Sequence, residues 1–274
     1  MTATASAKSP SGTATSIFEV LGSFTLFVSV YVAIFLGASF AGNAAGLPYP
    51  QWAALIAVVA ATAFTIRAME GGRWQLGIFV APRIAAIDFL LGVAFAAVLI
   101  AVADVLIVAT TTLRHARGSG LATVELVAVF IPAAVHEELA FRGYLFQKMR
   151  IWNRSAAIAI SSVIFAALHV GNRGITAVAI VNLVLAGVLL ALAYERYERL
   201  WFPMGIHLAW NLLSGPVLGY GVSGYAARAT LFHTVGGGPA WVTGGVFGIE
   251  GSAWMALVEL GGIFLLRRRL KGMQ

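Results

Sequence analysis

HEELAFR, residues 136–142, stands inside an apolar run that extends from Leu121 to Gln147. Two adjacent carboxylates, a histidine and an arginine are out of place in such a run. A charged group at mid-bilayer costs at least roughly 2.5–3.5 kcal/mol even on a lenient insertion scale, so each one needs a partner or a task. On a helix Glu138 and Arg142 lie one turn apart on the same face and can pair as ions. Glu137 is rotated by about 100° from Glu138 and is left for something else.

The rest of the chain supports a bilayer as the solvent. Of 274 residues, 60% are hydrophobic and only 11% charged, with a mean hydropathy of +0.89, which excludes an ordinary soluble domain. A hydrocarbon core about 30 Å thick needs roughly 20 apolar residues per helix, and on that measure about eight runs qualify. They are Ile17–Ala41, Pro50–Ile66, Ile84–Thr112, Leu121–Gln147, Ser155–Val170, Ile175–Tyr194, Leu200–Leu218 and Phe247–Leu266. The expected fold is all-α, a polytopic membrane bundle of about eight transmembrane helices. Residues 1–16 form a Ser/Thr/Ala tail too polar to build a core and are expected to be disordered and cytoplasmic. Residues 17–274 then make one integral membrane domain without an internal repeat. The first run is too long for the core of a signal peptide and reads as a retained anchor.

Charge and cysteine narrow the function further. The net charge of +7 does not point to nucleic acid, because the basic residues sit in short pieces between apolar runs. With the N-terminus inside, 13 of the 18 Lys and Arg fall on the cytoplasmic side, four (Arg114, Arg117, Arg173 and Arg228) fall opposite, and Arg142 lies within a span. That asymmetry predicts cytoplasmic N- and C-termini. The absence of cysteine removes disulfides, thiolate zinc sites and a thiol nucleophile.

Other polar residues repeat the spacing found in HEELAFR. Phe165 and His169 (FAALH) and His207 and Asn211 (HLAWN) are each four apart and project from one helix face. At about 1.5 Å per residue, Glu137 lies roughly 16 Å from Lys148, His207 roughly 12 Å and Asn211 roughly 18 Å from Arg199, and His169 roughly 22 Å from Arg154. Different helices thus place a carboxylate, two imidazoles and an amide in one layer. A lone intramembrane histidine usually serves helix packing, but four such groups at one depth suit hydrolysis. Glu137 would act as general base, His169 would relay the proton or bind a metal, and His207 with the Asn211 amide would supply oxyanion donors. A divalent ion held by His169, His207 and Glu137 is the alternative arrangement, and imidazole and carboxylate suit zinc.

Rival chemistries fit less well. A zincin helix needs HExxH, and here Ala140 occupies the second histidine position. A serine site at Ser223 in GVSG lacks a following membrane histidine, and a glycine-rich turn explains that stretch better. Asp88 lies near an interface and is expected to be solvated, Asp104 to bond a neighbouring helix, His136 to point away from the site, and His115 and His233 to sit in loops. Residues 215–246 are too long for a plain connection and are expected to fold back as a cap.

The three spaced motifs together resemble those of the CAAX protease and bacteriocin-processing family of intramembrane proteases, related to the type II CAAX prenyl endopeptidases. EExxxR reads as Glu137, Glu138 and Arg142, FxxxH as Phe165 and His169, and HxxxN as His207 and Asn211. The similarity extends over about Leu121–Leu266, and TGGVFGIEGS (243–252) resembles the segment leading into the last helix of bacterial members. Read from the residues, that segment is structural, with Ser252 as a helix N-cap and Glu250 at the positive helix end. The resemblance implies an eight-helix endopeptidase in which Glu137 and His169 activate water and His207 and Asn211 stabilise the oxyanion, with Glu138, Arg142 and Phe165 in support. It leaves both the metal and the substrate open.

The Ala/Gly-rich composition and Lys-poor loops suggest a bacterial inner membrane, where prenylated proteins are not the expected target. The expected partners are the bilayer and a peptide or membrane-protein substrate. A membrane scaffold or bacteriocin-immunity protein that binds without cutting is the alternative, and a transporter fits less well because no repeated half is seen. The topology is checked by reporter fusions after Gln274 and within residues 215–246. A cytoplasmic signal from the first and a periplasmic signal from the second are expected.

Overall fold

The computed structural model describes residues 15–47, 50–121 and 123–271, with 269–271 as backbone alone. Lys8 and most of the tail expected to be disordered lie outside the described residues. Within them, the hydroxyl of Ser16 accepts the Glu19 N–H at 3.2 Å and opens the first helix.

The fold is mostly helical. Among the described residues four helices are long and apolar enough to cross a membrane: α1 (Ile17–Ala44), α2 (Pro50–Glu70), α3 (Pro82–Thr110) and α8 (Ala177–Tyr197). The remaining expected runs are shorter or broken. The run around HEELAFR comprises α4 (Thr123–Glu125), a π-helical turn (Leu126–Phe130), α5 (Ile131–Arg142) and α6 (Tyr144–Trp152). Pro132 has no N–H to give the preceding turn, and the ladder there widens, with the Ile131 N–H reaching the Leu126 carbonyl. Gly143 makes the break before α6, because a Cβ there would stand 2.1 Å from the Leu139 carbonyl oxygen. Next come α7 (Arg154–Leu168) and α9 (Trp201–Leu212), the latter prolonged by a π-helical turn (Leu213–Val217) around Pro216. After α10 (Ala240–Thr243), α11 (Ala253–Lys271) starts at Ala253 rather than Phe247, because 249–251 form a 3-10 turn and the Ser252 hydroxyl accepts the Trp254 N–H at 3.1 Å.

Two strands correct the purely α-helical expectation. β1 (Arg114–Arg117) pairs antiparallel with β2 (Phe232–Val235), bringing His115 opposite Thr234 and Ala116 opposite His233. Both histidines expected in loops are therefore in a ribbon, and the long 215–246 connection does fold back. RHAR and FHTV are too short for a local periodicity to announce them, and their partners are distant in sequence.

The molecule has two unlike ends. At one, Lys148 pairs with Glu70, which also accepts the Tyr144 hydroxyl at 2.7 Å, while Trp74 donates to Gln147 at 3.0 Å. Arg150 and Arg154 bind Glu198 and Glu195 at 2.8 and 2.7 Å. Asp88, expected to be solvated, is instead buried and holds Arg199 through both carboxylate oxygens at 2.5 and 3.1 Å. A partner contributed by the distant α8–α9 corner explains the difference. The other end carries the ribbon. There Asp104 accepts from Tyr220 at 2.7 Å and lies 2.8 Å from His115 Nε2, so it bonds the overlying connection rather than a neighbouring helix. Burial, with Asp104 beside it, pushes the Tyr220 phenol up.

Between the ends, small residues let backbones approach, as association in lipid requires. On the closely packed α3–α9 pair, a Cβ at Gly205 would lie 2.2 Å from the Phe89 carbonyl oxygen, and one at Gly92 would lie 2.3 Å from that of Phe202. The outer face of α3 keeps Leu90, Val98 and Val105 exposed, as a lipid-facing surface would. Gly205→Val should therefore lower the melting temperature of the purified protein by more than ordinary overpacking of roughly 1–3 kcal/mol would, because backbone must move. Leu90→Ala, on the outer face, should change it little.

Candidate functional site

A buried ion pair anchors the site. Arg142 Nη1 donates to Glu138 Oε1 at 3.0 Å, and both side chains have no exposed surface. The i, i+4 spacing on α5 provides this pair, as HEELAFR implies. Two further contacts were not legible locally: Arg142 Nη2 donates to the Gly187 carbonyl of α8 at 3.1 Å, and Glu138 Oε1 also accepts His207 Nδ1 of α9 at 2.8 Å. One carboxylate and one guanidinium thus tie α5, α8 and α9 together. Gly187 permits the approach of α7, since a Cβ there would meet Ser162 Cα at 2.7 Å.

Glu137, on the next position of α5, is one-fifth exposed and stands with Oε2 3.7 Å from His207 Nε2. The helical rotation expected from sequence separates the two glutamates: one faces the packed helices and the other faces space.

Both imidazoles are held by Nδ1. His207 gives that N–H to Glu138, and His169 gives its own to the Phe165 carbonyl at 2.7 Å. Each ring is left with Nε2 for chemistry. His169 stands at the end of its helix, next to the last residue of the expected run Ser155–Val170. It forms the C-cap of α7, because that helix ends at Leu168. Phe165 packs its ring 4.8 Å from that of His169 and 6.2 Å from that of His207, with Arg142 Cζ 5.2 Å from its centroid. It is a wall shared by the ion pair and both imidazoles.

Glu137, Phe165, His169, His207 and Asn211 line a single cavity of about 450 Å³. All four proposed catalytic side chains are therefore brought together, and Glu138 and Arg142 lie directly behind them. His136 faces away, 3.4 Å from the Tyr31 hydroxyl of α1, as expected.

Sequence reasoning assigned Glu250 only a structural place. Glu250 is buried and does brace the wall: it accepts Trp210 Nε1 at 3.0 Å and both the N–H and the hydroxyl of Ser223 at 2.6 and 2.8 Å. It also lines the cavity, as do Asn182, Ser223 and Glu259. Asn182 donates to the Glu250 and Ser252 carbonyls at 2.6 and 2.8 Å. Ser223, with its hydroxyl committed to a carboxylate and its backbone left-handed at φ 47°, is a turn residue rather than a nucleophile. The TGGVFGIEGS and GVSG stretches were the signals in sequence for this wall, but neither showed that Glu250 binds Ser223 across them.

For a metal, rings fixed through Nδ1 would suit ligation by Nε2. However, among the described residues no group of three His, Asp or Glu side chains is placed to hold an ion, so the trio His169, His207 and Glu137 does not fit one.

Residues 119–213 match the family described as type II CAAX prenyl endopeptidase Rce1-like. The matched segment contains all three motifs, and the family resemblance seen in them is borne out over it. A comparison with curated proteins found no match.

The geometry separates the two glutamates in stability. Glu138→Gln and Arg142→Ala should each cost about 3–5 kcal/mol, since either leaves a buried charge unpaired. Glu137→Gln should leave the melting temperature near that of the parent. Thermal unfolding of the three purified variants checks this, and an equal loss in all three would contradict the division.

Proposed function

We propose that the chain is an intramembrane endopeptidase of the CAAX type that hydrolyses a peptide bond with a water activated by Glu137 and His169. The observation that carries this reading is the convergence of Glu137, His169, His207 and Asn211 on one cavity, backed by a buried ion pair and within a segment that matches a protease family.

The chemistry follows from the atoms available. Glu137 takes a proton from water as the oxygen attacks the substrate carbonyl carbon, and His169 Nε2 shares that proton. Negative charge then grows on the carbonyl oxygen. The Asn211 amide donates to it, and His207, with Nδ1 held on the Glu138 carboxylate, donates from Nε2 when protonated. Collapse breaks the C–N bond, and the departing amine takes the proton back from Glu137 or His169. Glu138 is thus more than a partner for Arg142, because it orients His207.

In this reading the helical runs cross a bacterial inner membrane about eight times with both termini cytoplasmic, as hydrophobic length and basic-residue placement imply. The protease core is 121–266.

Glu137→Gln should abolish cleavage while the protein accumulates and melts like its parent. His207→Ala or Asn211→Ala should slow turnover by about 10²–10³-fold, as loss of an oxyanion donor does. Products present in the parent's membrane peptidome and absent with Glu137→Gln are the readout. An unchanged peptidome would favour a scaffold that binds without cutting. One tightly held zinc per chain, lost in His169→Ala, would replace the metal-free route.

A further inference from the structure

The residues that line the cavity come from one end of the molecule and from the layer beneath it. Gln51 begins α2, Asn172 and Arg173 belong to the α7–α8 connection, and Val222–Tyr225 and Glu250 lie between α9 and α11. No lining residue comes from 67–83, from 144–154 or from 196–201, the segments of the ion-paired end. That end is closed beneath the site. Glu138 and Arg142 have no exposed surface, Gln147 and Lys148 are buried, and the Gln147 amide binds the Leu76 and Arg142 carbonyls at 3.2 and 3.1 Å.

The opposite end is built as a rim. A Cβ at Gly224 would stand 2.2 Å from the Arg173 carbonyl oxygen, and one at Gly174 would stand 2.8 Å from the Phe247 nitrogen, so three connections meet there backbone to backbone. Glu125 adds a side-chain tie, accepting the Tyr225 hydroxyl at 2.6 Å and the Arg228 N–H at 2.9 Å. Gly171 and Arg173 on this rim are exposed.

The two ends differ in charge as well as in access. Among the described residues most of the basic ones gather at the closed end, and of them only Arg114, Arg117, Arg173 and Arg228 belong to the opposite end. Basic residues near helix ends mark the cytoplasmic side irrespective of nearby acids, so pairing with Glu70, Asp88, Glu195 and Glu198 does not weaken the sign.

We infer that the active-site cavity opens to the non-cytoplasmic face of the membrane, and that the substrate is a peptide segment presented on that face rather than a cytoplasmic lipid-modified C-terminus. The substrate half of this inference rests on the endopeptidase reading, whereas the direction of the opening does not.

The cysteine-free chain makes the test direct, since each introduced thiol is unique. Gly171→Cys is sterically open, with no atom within 4 Å of an added Cβ, and Ala226→Cys is a second exposed position near the rim. Arg73→Cys reports the closed end, and Ala133→Cys lines the cavity one helical turn from Glu137. Sealed right-side-out vesicles are treated with a membrane-impermeant maleimide, and Ala133→Cys with a small charged methanethiosulfonate. Each variant is first required to melt like the parent.

Labelling of Gly171→Cys, Ala226→Cys and Ala133→Cys before detergent, with Arg73→Cys labelled only after it, is the expected result. Labelling of Arg73→Cys from outside, or of the rim and cavity positions only after detergent, would overturn the inference. Peptides cut by the parent and spared with Glu137→Gln should map to segments outside the cytoplasm, and cytoplasmic products would overturn the substrate assignment. If no peptide differs, the endopeptidase reading falls and the substrate half falls with it, while the labelling still decides the opening.

Discussion

The Glu138–Arg142 pair is the constraint on which the rest of the site depends. Neither charge touches solvent, and each also bonds to a different helix, Arg142 to the Gly187 carbonyl of α8 and Glu138 to His207 of α9. In a low-dielectric interior such a pair is seldom a net gain over apolar packing, yet breaking it is expensive. Its contribution here is geometric. Three helices share one fixed point, and the imidazole of His207 is held at a set distance from Glu137 by a carboxylate belonging to the neighbouring residue.

Adjacent glutamates thereby take opposite roles through helical rotation alone. Glu138 turns inward and is consumed by partners, whereas Glu137 turns toward the cavity. The same economy recurs on α7, where His169 anchors Nδ1 on the carbonyl of Phe165 and the Phe165 ring packs beside it. A ring fixed by one nitrogen presents the other in a defined direction, which is the preorganisation that proton transfer and oxyanion stabilisation require.

What was legible in the sequence was local and periodic. The four-residue spacings in HEELAFR, FAALH and HLAWN picked out residues that come together around one cavity, and the apolar runs located the helices around them. Contacts that close over long separations left no such mark. Gly187 offers only a carbonyl, Glu250 binds Ser223 and Trp210 across separate segments, and the RHAR–FHTV ribbon pairs residues from distant parts of the chain. Asp88 failed for the same reason, since its partner Arg199 comes from a corner far along the chain. Helix breaks fell between these cases: Pro132 and Pro216 were visible, but the π-helical turns they accompany depend on how the freed carbonyls are satisfied.

The unlike construction of the two ends bears on how the site can work. Ion pairs between long side chains, as at Lys148–Glu70 and Arg150–Glu198, hold helix ends through flexible stems. The rim is held differently, by backbone set against backbone at Gly174 and Gly224 and by the short carboxylates of Glu125 and Glu250 on Tyr225 and Ser223. Such contacts tolerate little displacement, because even one added Cβ would collide with main chain. Hydrolysis within apolar surroundings requires water to reach Glu137 while the groups that polarise the substrate stay fixed. On the proposed reading, a closed, charge-paired floor and a stiff polar rim satisfy both demands: water and substrate enter where the walls hold their shape, and the buried ion pair beneath them stays dry.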